Sequence, residues 1–523
     1  MFRRAAFRAP SGRAASTPVT RPVTSLVAAL ALLAGSAMLF PSPAAAAVAN
    51  PYGPNDAPVL IVLGQSNADG WAAPLEAADR TKCQSLNRVK GLSRTDNRTV
   101  GATSATWSQY TCTGNNLGDE SNSGLNYNVA SATALRWQRA VEAGAELPDL
   151  NVIHIAWGGQ GIQETDGTNN RWWPDRDPTD IASLFPLAMN TITNGLRALQ
   201  HAGKQPRVIG IHWNQWEAEA GSRSTISVDH IQQAFLKVLE PIRTVAGGTD
   251  APVFLYRPRA AILDKTSTLQ ARDALVKIAG TAPYRLIDAR DATALTYSAD
   301  HATSQPGAYF YTLRDRTEQQ IEDTVWNLPT WGEKELGIFA SDAIHYRSEV
   351  QQWFADQQWK SVFADKRYGA PVKATVNAAL GRPATQSSTN WAGREEAGNA
   401  VDGKGSGGYW ESTPSYTKNE AQPWWQVDLG AKQQIRSVEL FNRTDWLMER
   451  LTDLDVVVSA TDLTGRSWAD IQADPAVKKI RIKGTVPKKL AVPVGADGRY
   501  VRIQLAGTNH LTLPEVQVNV PIG

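Results

Sequence analysis

The hydrophobic pattern changes character once along the chain. From Ala57 to about Phe363, short apolar runs alternate with longer amphipathic ones. The short runs are Leu60–Leu63, Val152–Ala156, Val208–Trp213, Pro252–Tyr256 and Tyr284–Ile287, and they read as buried strands because few polar positions interrupt them. Between them, 128–143, 181–201, 230–246 and 269–279 carry apolar residues at helical spacing. Residues 348–363 read as a closing helix whose aromatics Trp353, Phe354, Trp359 and Phe363 serve a core. Such alternation predicts an α/β fold, a three-layer, mostly parallel sheet with right-handed crossovers. The segment 366–376 has no periodicity and reads as a linker. Beyond it, short runs such as Trp425–Leu429, Ile435–Phe441, Leu454–Ser459, Val501–Leu505 and Val516–Val520 lie between Gly, Asn and Asp turns. That texture predicts an all-β sandwich over 377–523.

Length agrees with two domains, since 523 residues exceed one ordinary core. Charges of both signs are mixed without basic or acidic blocks, which argues against a nucleic-acid partner. Residues 1–49 hold five arginines, no acids, an apolar run from Leu26 to Phe40 and the small-residue triplet Ala47-Val48-Ala49. This reads as a secretory signal, with an uncleaved anchor as the competing reading. Removing those five positive charges from the formal +2 leaves −3, a near-neutral exported protein occupying 50–365 and 377–523. No other stretch approaches a membrane span, so no membrane attachment is expected after cleavage. In an exported chain the two cysteines, Cys83 and Cys112, are expected to pair.

The first strand ends in V-L-I-V-L-G-Q-S-N-A-D-G, Val59–Gly70. Ser66, just past the C-terminal end of a parallel strand, stands where open α/β sheets present ligand-binding groups. A serine nucleophile needs a base, and there are seven histidines. His154 and His212 lie within strand runs and read as core residues. His345 follows Asp342 by three positions, a spacing that one helical turn brings to one face. The carboxylate can then orient the imidazole toward Ser66. Two more blocks follow strands: Trp157-Gly158-Gly159-Gln160 and Trp213-Asn214-Gln215-Trp216-Glu217.

In this order the blocks resemble those of the SGNH-hydrolase superfamily, in its sialate O-acetylesterase and carbohydrate esterase family 6 branch. The resemblance implies a flavodoxin-like catalytic domain and two-step acyl transfer with no metal or cofactor. It assigns oxyanion donors to the N–H groups of Ser66 and Gly159 and to the Gln215 amide. Trp216 stands where that branch usually has glycine, and either Asp342 or Glu217 is left as the carboxylate partner of His345. The implied substrate is an acetylated glycan or polysaccharide. Trp71, Trp172, Trp173 and Trp216 are candidates for sugar-stacking walls. A generic lipase is disfavoured for want of a G-x-S-x-G elbow.

In the second domain, Gly381–Thr389, Asn399–Gly403, Pro423–Gly430 and Asn442–Leu451 resemble the discoidin-like jelly-roll sandwich of F-type lectins. That family's sugar signature, R-x-D-x4-R, is met by Arg443, Asp445 and Arg450, and a guanidinium pair held by an aspartate suits vicinal hydroxyls. Tyr416 stands at the family's histidine, and Trp446-Leu447 at its adjacent cysteines. The resemblance implies a Ca²⁺ site at Asn399, Asp402, Ser412 and Glu515, with Lys404 contributing only its carbonyl. The expectation is a secreted serine esterase removing O-acetyl groups from glycans and targeted by a lectin module. The alternative is a non-catalytic glycan-binding protein with a degenerate esterase domain.

Overall fold

The run Val59–Leu63 becomes the middle of a strand buried at all nine of its positions, because parallel neighbours cover both its edges. In this computed structural model, residues 50–522 are described apart from 72, 74–76, 93–105, 113–114, 119–125, 163–169, 175–182, 222–226, 248–249, 258–264, 292–344, 406 and 410–411. The leader 1–49 and Asp342 lie outside the described residues. Seven strands form the first sheet: β1 (Asp56–Gly64), β2 (Val89–Leu92), β3 (Trp107–Gln109), β4 (Leu150–Ala156), β5 (Gln205–Asn214), β6 (Val253–Tyr256) and β7 (Tyr284–Ile287). Their order is β3-β2-β4-β1-β5-β6-β7, and all pairs are parallel except β2 with β3.

The helices are α1 (Ser66–Asp69), α2 (Ala77–Cys83), α3 (Val129–Glu142), α4 (Leu184–His201), α5 (Glu217–Gly221), α6 (Val228–Val245), α7 (Lys265–Ala279) and α8 (Ser348–Phe363). Side chains alternate along β1, so Leu60 and Val62 face α3 and α8 while Ile61 and Leu63 face α4, α6 and α7. The result is the three-layer arrangement that the alternation predicts. The strands β2 and β3 escape sequence reading because V-K-G-L and W-S-Q lack an apolar run; β2 forms by pairing on β4. Cys83 and Cys112 are bonded, S–S 2.05 Å, stapling the end of α2 to the chain after β3.

The β domain is an antiparallel sandwich. The runs Trp425–Leu429 and Ile435–Phe441 are one strand, Trp424–Phe441, with a register shift between Asp428 and Gln433. It pairs with Lys489–Leu505 and Glu515–Pro521 around a core that includes Trp425, Leu440, Val456, Ile503 and Val518. The strand Lys478–Thr485 is unreadable from hydropathy: as a sheet edge it alternates isoleucine with lysine and arginine.

The segment 366–376 is placed differently from a free tether. Val372 sits in the core of the α/β domain and donates its N–H to Pro206 O at 2.8 Å. Arg207 Nη1 donates to Gly369 O at 2.9 Å, and a Cβ on Gly369 (φ +74°) would lie 2.4 Å from Val208 O. Side chains then join the domains. Glu439, fully buried, meets Arg197 of α4 at 2.8 Å and Lys489 at 3.0 Å. Burial opposes its ionisation, but the two cations prevail and hold its carboxyl below the ordinary range. Asn190 of α4 accepts the N–H of Ala491 at 2.8 Å.

Candidate functional site

Chain order reverses at β1: β4 follows on one side and β5 on the other, which opens a crevice past their C-terminal ends. Ser66 opens α1 directly after β1. Gly64 (φ +140°) permits the turn, since a Cβ there would lie 2.1 Å from Asn214 O. Trp172 Nε1 donates to Gly64 O at 3.1 Å, and Gln65 N–H donates to Asn214 O at 3.1 Å. Below the serine, Asp69 accepts from the side chains of Asn116 (2.6 Å) and Asn126 (3.0 Å), while Asn128 Nδ2 donates to Asp69 O. The turn is therefore fixed from every strand around it.

His345 Nε2 lies 2.8 Å from Ser66 Oγ across 279 residues of chain, the separation that a nucleophile and its base require. Two residues further, Arg347 begins the entry into α8, so the helix that closes the domain also delivers the base. Asn67 donates to Glu217 in a short buried hydrogen bond and accepts the N–H of Tyr346 at 2.8 Å. One carboxamide thus ties the ends of β1 and β5 to the histidine segment. Burial pushes the Glu217 carboxyl up to about 7, against the Asn67 hydrogen bond and the attraction of His345. Among the described residues its Oε2 is buried without a hydrogen-bond partner.

The Gly158–Gly159 turn after β4 lies over the nucleophile: a Cβ on Gly158 would sit 3.5 Å from Ser66 Cβ. Gly159, one residue on, takes φ +69° with open space at its Cβ position. Gln215 is placed otherwise than the sequence suggests. Its Nε2 contacts Gln65 Oε1 (2.9 Å), Gln160 O (2.7 Å) and the Glu219 carboxylate (3.1 Å). An amide with two hydrogens that is already ringed by four acceptor atoms has none to spare for an oxyanion at Ser66. Trp172, Trp173 and Trp216 are buried and hold the core, so they are not stacking walls. Trp71 alone of the four is exposed, at 52%, with its ring centroid 6.3 Å from that of His345.

His154 and His212 are core histidines, as expected. His154 Nε2 contacts Ala68 O at 3.0 Å, His212 bridges Tyr256 and Gln358, and burial lowers both to about 4. Asn67 and Glu219 escape the sequence reading as site residues. Asn67 is already inside the G-Q-S-N block. Glu219 shows itself only through burial: its carboxyl is pushed up to about 7 and accepts the Ile162 N–H at 2.8 Å.

A second site forms in the β domain. Arg443, nearly buried, grips Asp445 in a two-bond fork at 2.9 and 2.7 Å. Those bonds hold the Asp445 carboxyl down at about 2. The Arg450 guanidinium lies 5.1 Å from the Tyr416 ring, and among the described residues its Nη1 is buried without a hydrogen-bond partner. Trp446 is exposed beside them, at 62%. Tyr416 is buried and edge-on to His510 at 5.0 Å, so an imidazole adjoins the site from another part of the chain. The sequence reading misses His510, and also Tyr409 and Glu395. Arg443 lies 5.1 Å over the Tyr409 ring, whose hydroxyl donates to Glu395 at 2.7 Å.

Around the expected cation site, Gly403 N–H donates to Glu515 Oε2 at 3.2 Å, and Asn399 Nδ2 donates to Arg394 O and Pro414 O. Among the described residues Glu515 Oε1 and Ser412 Oγ are buried without hydrogen-bond partners. Burial, with Asp402 nearby, pushes the Glu515 carboxyl up to about 7. Unsatisfied buried oxygens of this kind fit a hard cation. Lys404 departs from expectation: its ammonium lies 3.1 Å from Asp402 Oδ2, although the side chain is mostly exposed and can swing clear. A separate cleft of about 610 Å³ runs between the domains, and no residue of either site lines it.

The F5/8 type C domain model matches residues 383–515. A fucolectin of Anguilla anguilla is 32% identical over 149 residues, covering 28% of this chain and 90% of the relative. Fucolectin-6 of Anguilla japonica is 30% identical over 149 residues, covering 27% of this chain and 75% of the relative. Among solved structures, the lectin domain of lectinolysin complexed with Lewis B antigen is 33% identical, covers 28% of this chain and 96% of its own, and has a TM-score of 0.24.

Proposed function

The chain belongs, through its C-terminal domain, to the fucolectin family, and from that premise we propose that it is a secreted serine esterase that removes O-acetyl groups from glycans held by this lectin module. The observation that carries the enzymatic half is the 2.8 Å contact between His345 Nε2 and Ser66 Oγ at the crevice of the parallel sheet. His345 takes the hydroxyl proton as Ser66 attacks the ester carbonyl, then returns it to the departing sugar hydroxyl. Water, activated by the same imidazole, releases acetate from the acyl-enzyme. The N–H of Ser66 and the Gly158–Gly159 turn are the donors for the oxyanion. Glu217 supplies negative charge beside the imidazolium.

The second domain is a carbohydrate-binding module. Arg443 and Arg450 are its hydroxyl donors, Trp446 a stacking surface, and the names of its relatives point to a fucose-type ligand. Asn399, Asp402, Ser412 and Glu515 are suited to hold Ca²⁺, which supplies positive charge binding those loops together. Export is supported by the disulfide. Among the described residues no helix is long and apolar enough to cross a membrane.

The test is acetate release from a panel of acetylated glycans and from a chromogenic acetyl ester, with Ser66→Ala and His345→Ala alongside. Each substitution should lower turnover by roughly three orders of magnitude or more. Wild-type-like turnover by Ser66→Ala removes the assignment. One observation favours a second reading, a non-catalytic glycan-binding protein: the Gln215 amide is spent on Gln65 and Gln160. Absence of hydrolysis on every ester, with glycan binding intact, selects that reading.

A further inference from the structure

The register between the domains determines which end of the molecule the lectin site occupies. Helix α4 runs away from the crevice: Leu184 N–H donates to Arg171 O, and the next residue, Trp172, donates to Gly64 O beside Ser66. Further along α4, Asn190 meets Lys489 and Ala491, Arg197 meets Glu439, and Gln200 donates to Val372 O of the connecting segment. In the β domain, Lys489 pairs with Phe441. Arg436 Nη1 donates to Lys373 O of the connecting segment, and three residues on Glu439 meets Arg197, so this strand runs alongside α4 from its far end toward the crevice. The strand Trp424–Phe441 then leads straight into Asn442 and Arg443, so the Arg443–Asp445 fork stands at the same end as Ser66.

The two sites are also held rigidly. Any separation of the domains would strip buried Glu439 of Arg197 and leave it with Lys489 alone. Asn190 locks the strand at Ala491, and Val372 anchors the connection in the α/β core. A flexible tether would let the esterase sample any nearby chain. This interface gives it one distance and one direction.

We infer that the lectin and esterase sites work on one glycan molecule. The terminal sugar held at Arg443 and Arg450 selects the chain, and the ester removed lies on that same chain at a fixed separation. The inference rests on the esterase reading above and deepens it. It makes the substrate a glycan that carries its recognition sugar and its O-acetyl group together, not an acetylated polymer beside a separate anchor.

The test uses the full chain and synthetic linear oligosaccharides that bear one O-acetyl group and one terminal fucose, separated by increasing numbers of sugars. Each is paired with its fucose-free counterpart. Below KM, the ratio of kcat/KM between the members of a pair should peak at one separation and exceed about tenfold there. Methyl fucoside should erase the peak without slowing a chromogenic acetyl ester. Asn190→Ala combined with Arg197→Gln should broaden the peak while the chromogenic ester is still turned over normally. A ratio near one at every separation, with the chromogenic ester hydrolysed, overturns this inference alone. A ratio that climbs steadily and never peaks also overturns it, in favour of a flexible tether. No hydrolysis of any ester, the chromogenic one included, overturns the esterase reading itself.

Discussion

The carboxamide of Asn67 donates to the carboxylate of Glu217 across 150 residues of chain, in a buried bond that couples the nucleophile's turn to the end of β5. The same carboxamide takes the N–H of Tyr346, next to the base. Its removal breaks both bonds at once and loosens the segment that carries His345. Asn67→Ala is expected to lower kcat on a small acetyl ester by roughly 10- to 100-fold, with KM little changed, because the lost interactions orient the base without touching substrate.

Glu217 sets a pH limb. Its carboxyl is pushed up to about 7 by burial, so its charge appears as pH rises through that value. In the proposed reaction that charge would stabilise the imidazolium formed during attack, and kcat/KM is therefore expected to climb through pH 7. Glu217→Gln keeps an acceptor for Asn67 but not the charge. It should lower the plateau and shift or abolish that rise in the pH–rate profile. An unchanged profile assigns the charge no part in the reaction.

Glu219 makes a prediction for stability. The folded state holds this carboxyl up at about 7, while the unfolded chain has its ordinary value of 4.5. Between those values the folded protein binds more protons. This group's contribution is therefore fully present below about 4.5 and is lost as pH rises through 7. Glu219→Gln should flatten the fall of melting temperature between pH 5 and 8, measured by calorimetry, leaving the share of Glu217 and Glu515. A slope identical to wild type would show that Glu219 titrates normally.

The disulfide closes a loop with a separation of 29 residues. On loop-closure entropy it contributes about 3–4 kcal/mol. Cys83→Ala with Cys112→Ala should lower unfolding free energy by that order in denaturant titrations. Addition of reductant should bring wild type to the same midpoint as the double variant.

In the lectin module, Arg450 carries a buried Nη1 with no hydrogen-bond partner among the described residues. Arg450→Ala should weaken binding to an immobilised fucosyl glycan by roughly 10- to 100-fold, as expected for a hydrogen bond from a charged donor. Chelation of calcium should weaken the same binding and lower the melting temperature, and Glu515→Gln should make both insensitive to the chelator. Titration calorimetry with Ca²⁺ on the full chain checks this directly.

Sequence alone determined the elements whose chemistry is continuous along the chain. Val59–Leu63 must be a buried strand, and Ser66 must follow it into a turn. Cys83 has one possible partner, and R-x-D-x4-R already places Arg443 within two residues of Asp445. Local patterning suffices for these, because a strand period, a glycine turn or an i, i+2 ion pair involves only near neighbours. The tertiary structure decided whatever depends on residues meeting across long separations. It put His345 on Ser66, spent Gln215 on Gln65, and buried Trp216 in the core. It brought His510 beside Tyr416 and gathered Asn67, Glu217 and Tyr346 into one network. It also turned 366–376 from an apparent linker into a packed connection, because Val372 finds a hydrophobic site that no window of sequence reveals. Burial is the common reason: an amide, a carboxylate or a valine acquires its role from what surrounds it, and those surroundings exist only once the chain has closed on itself.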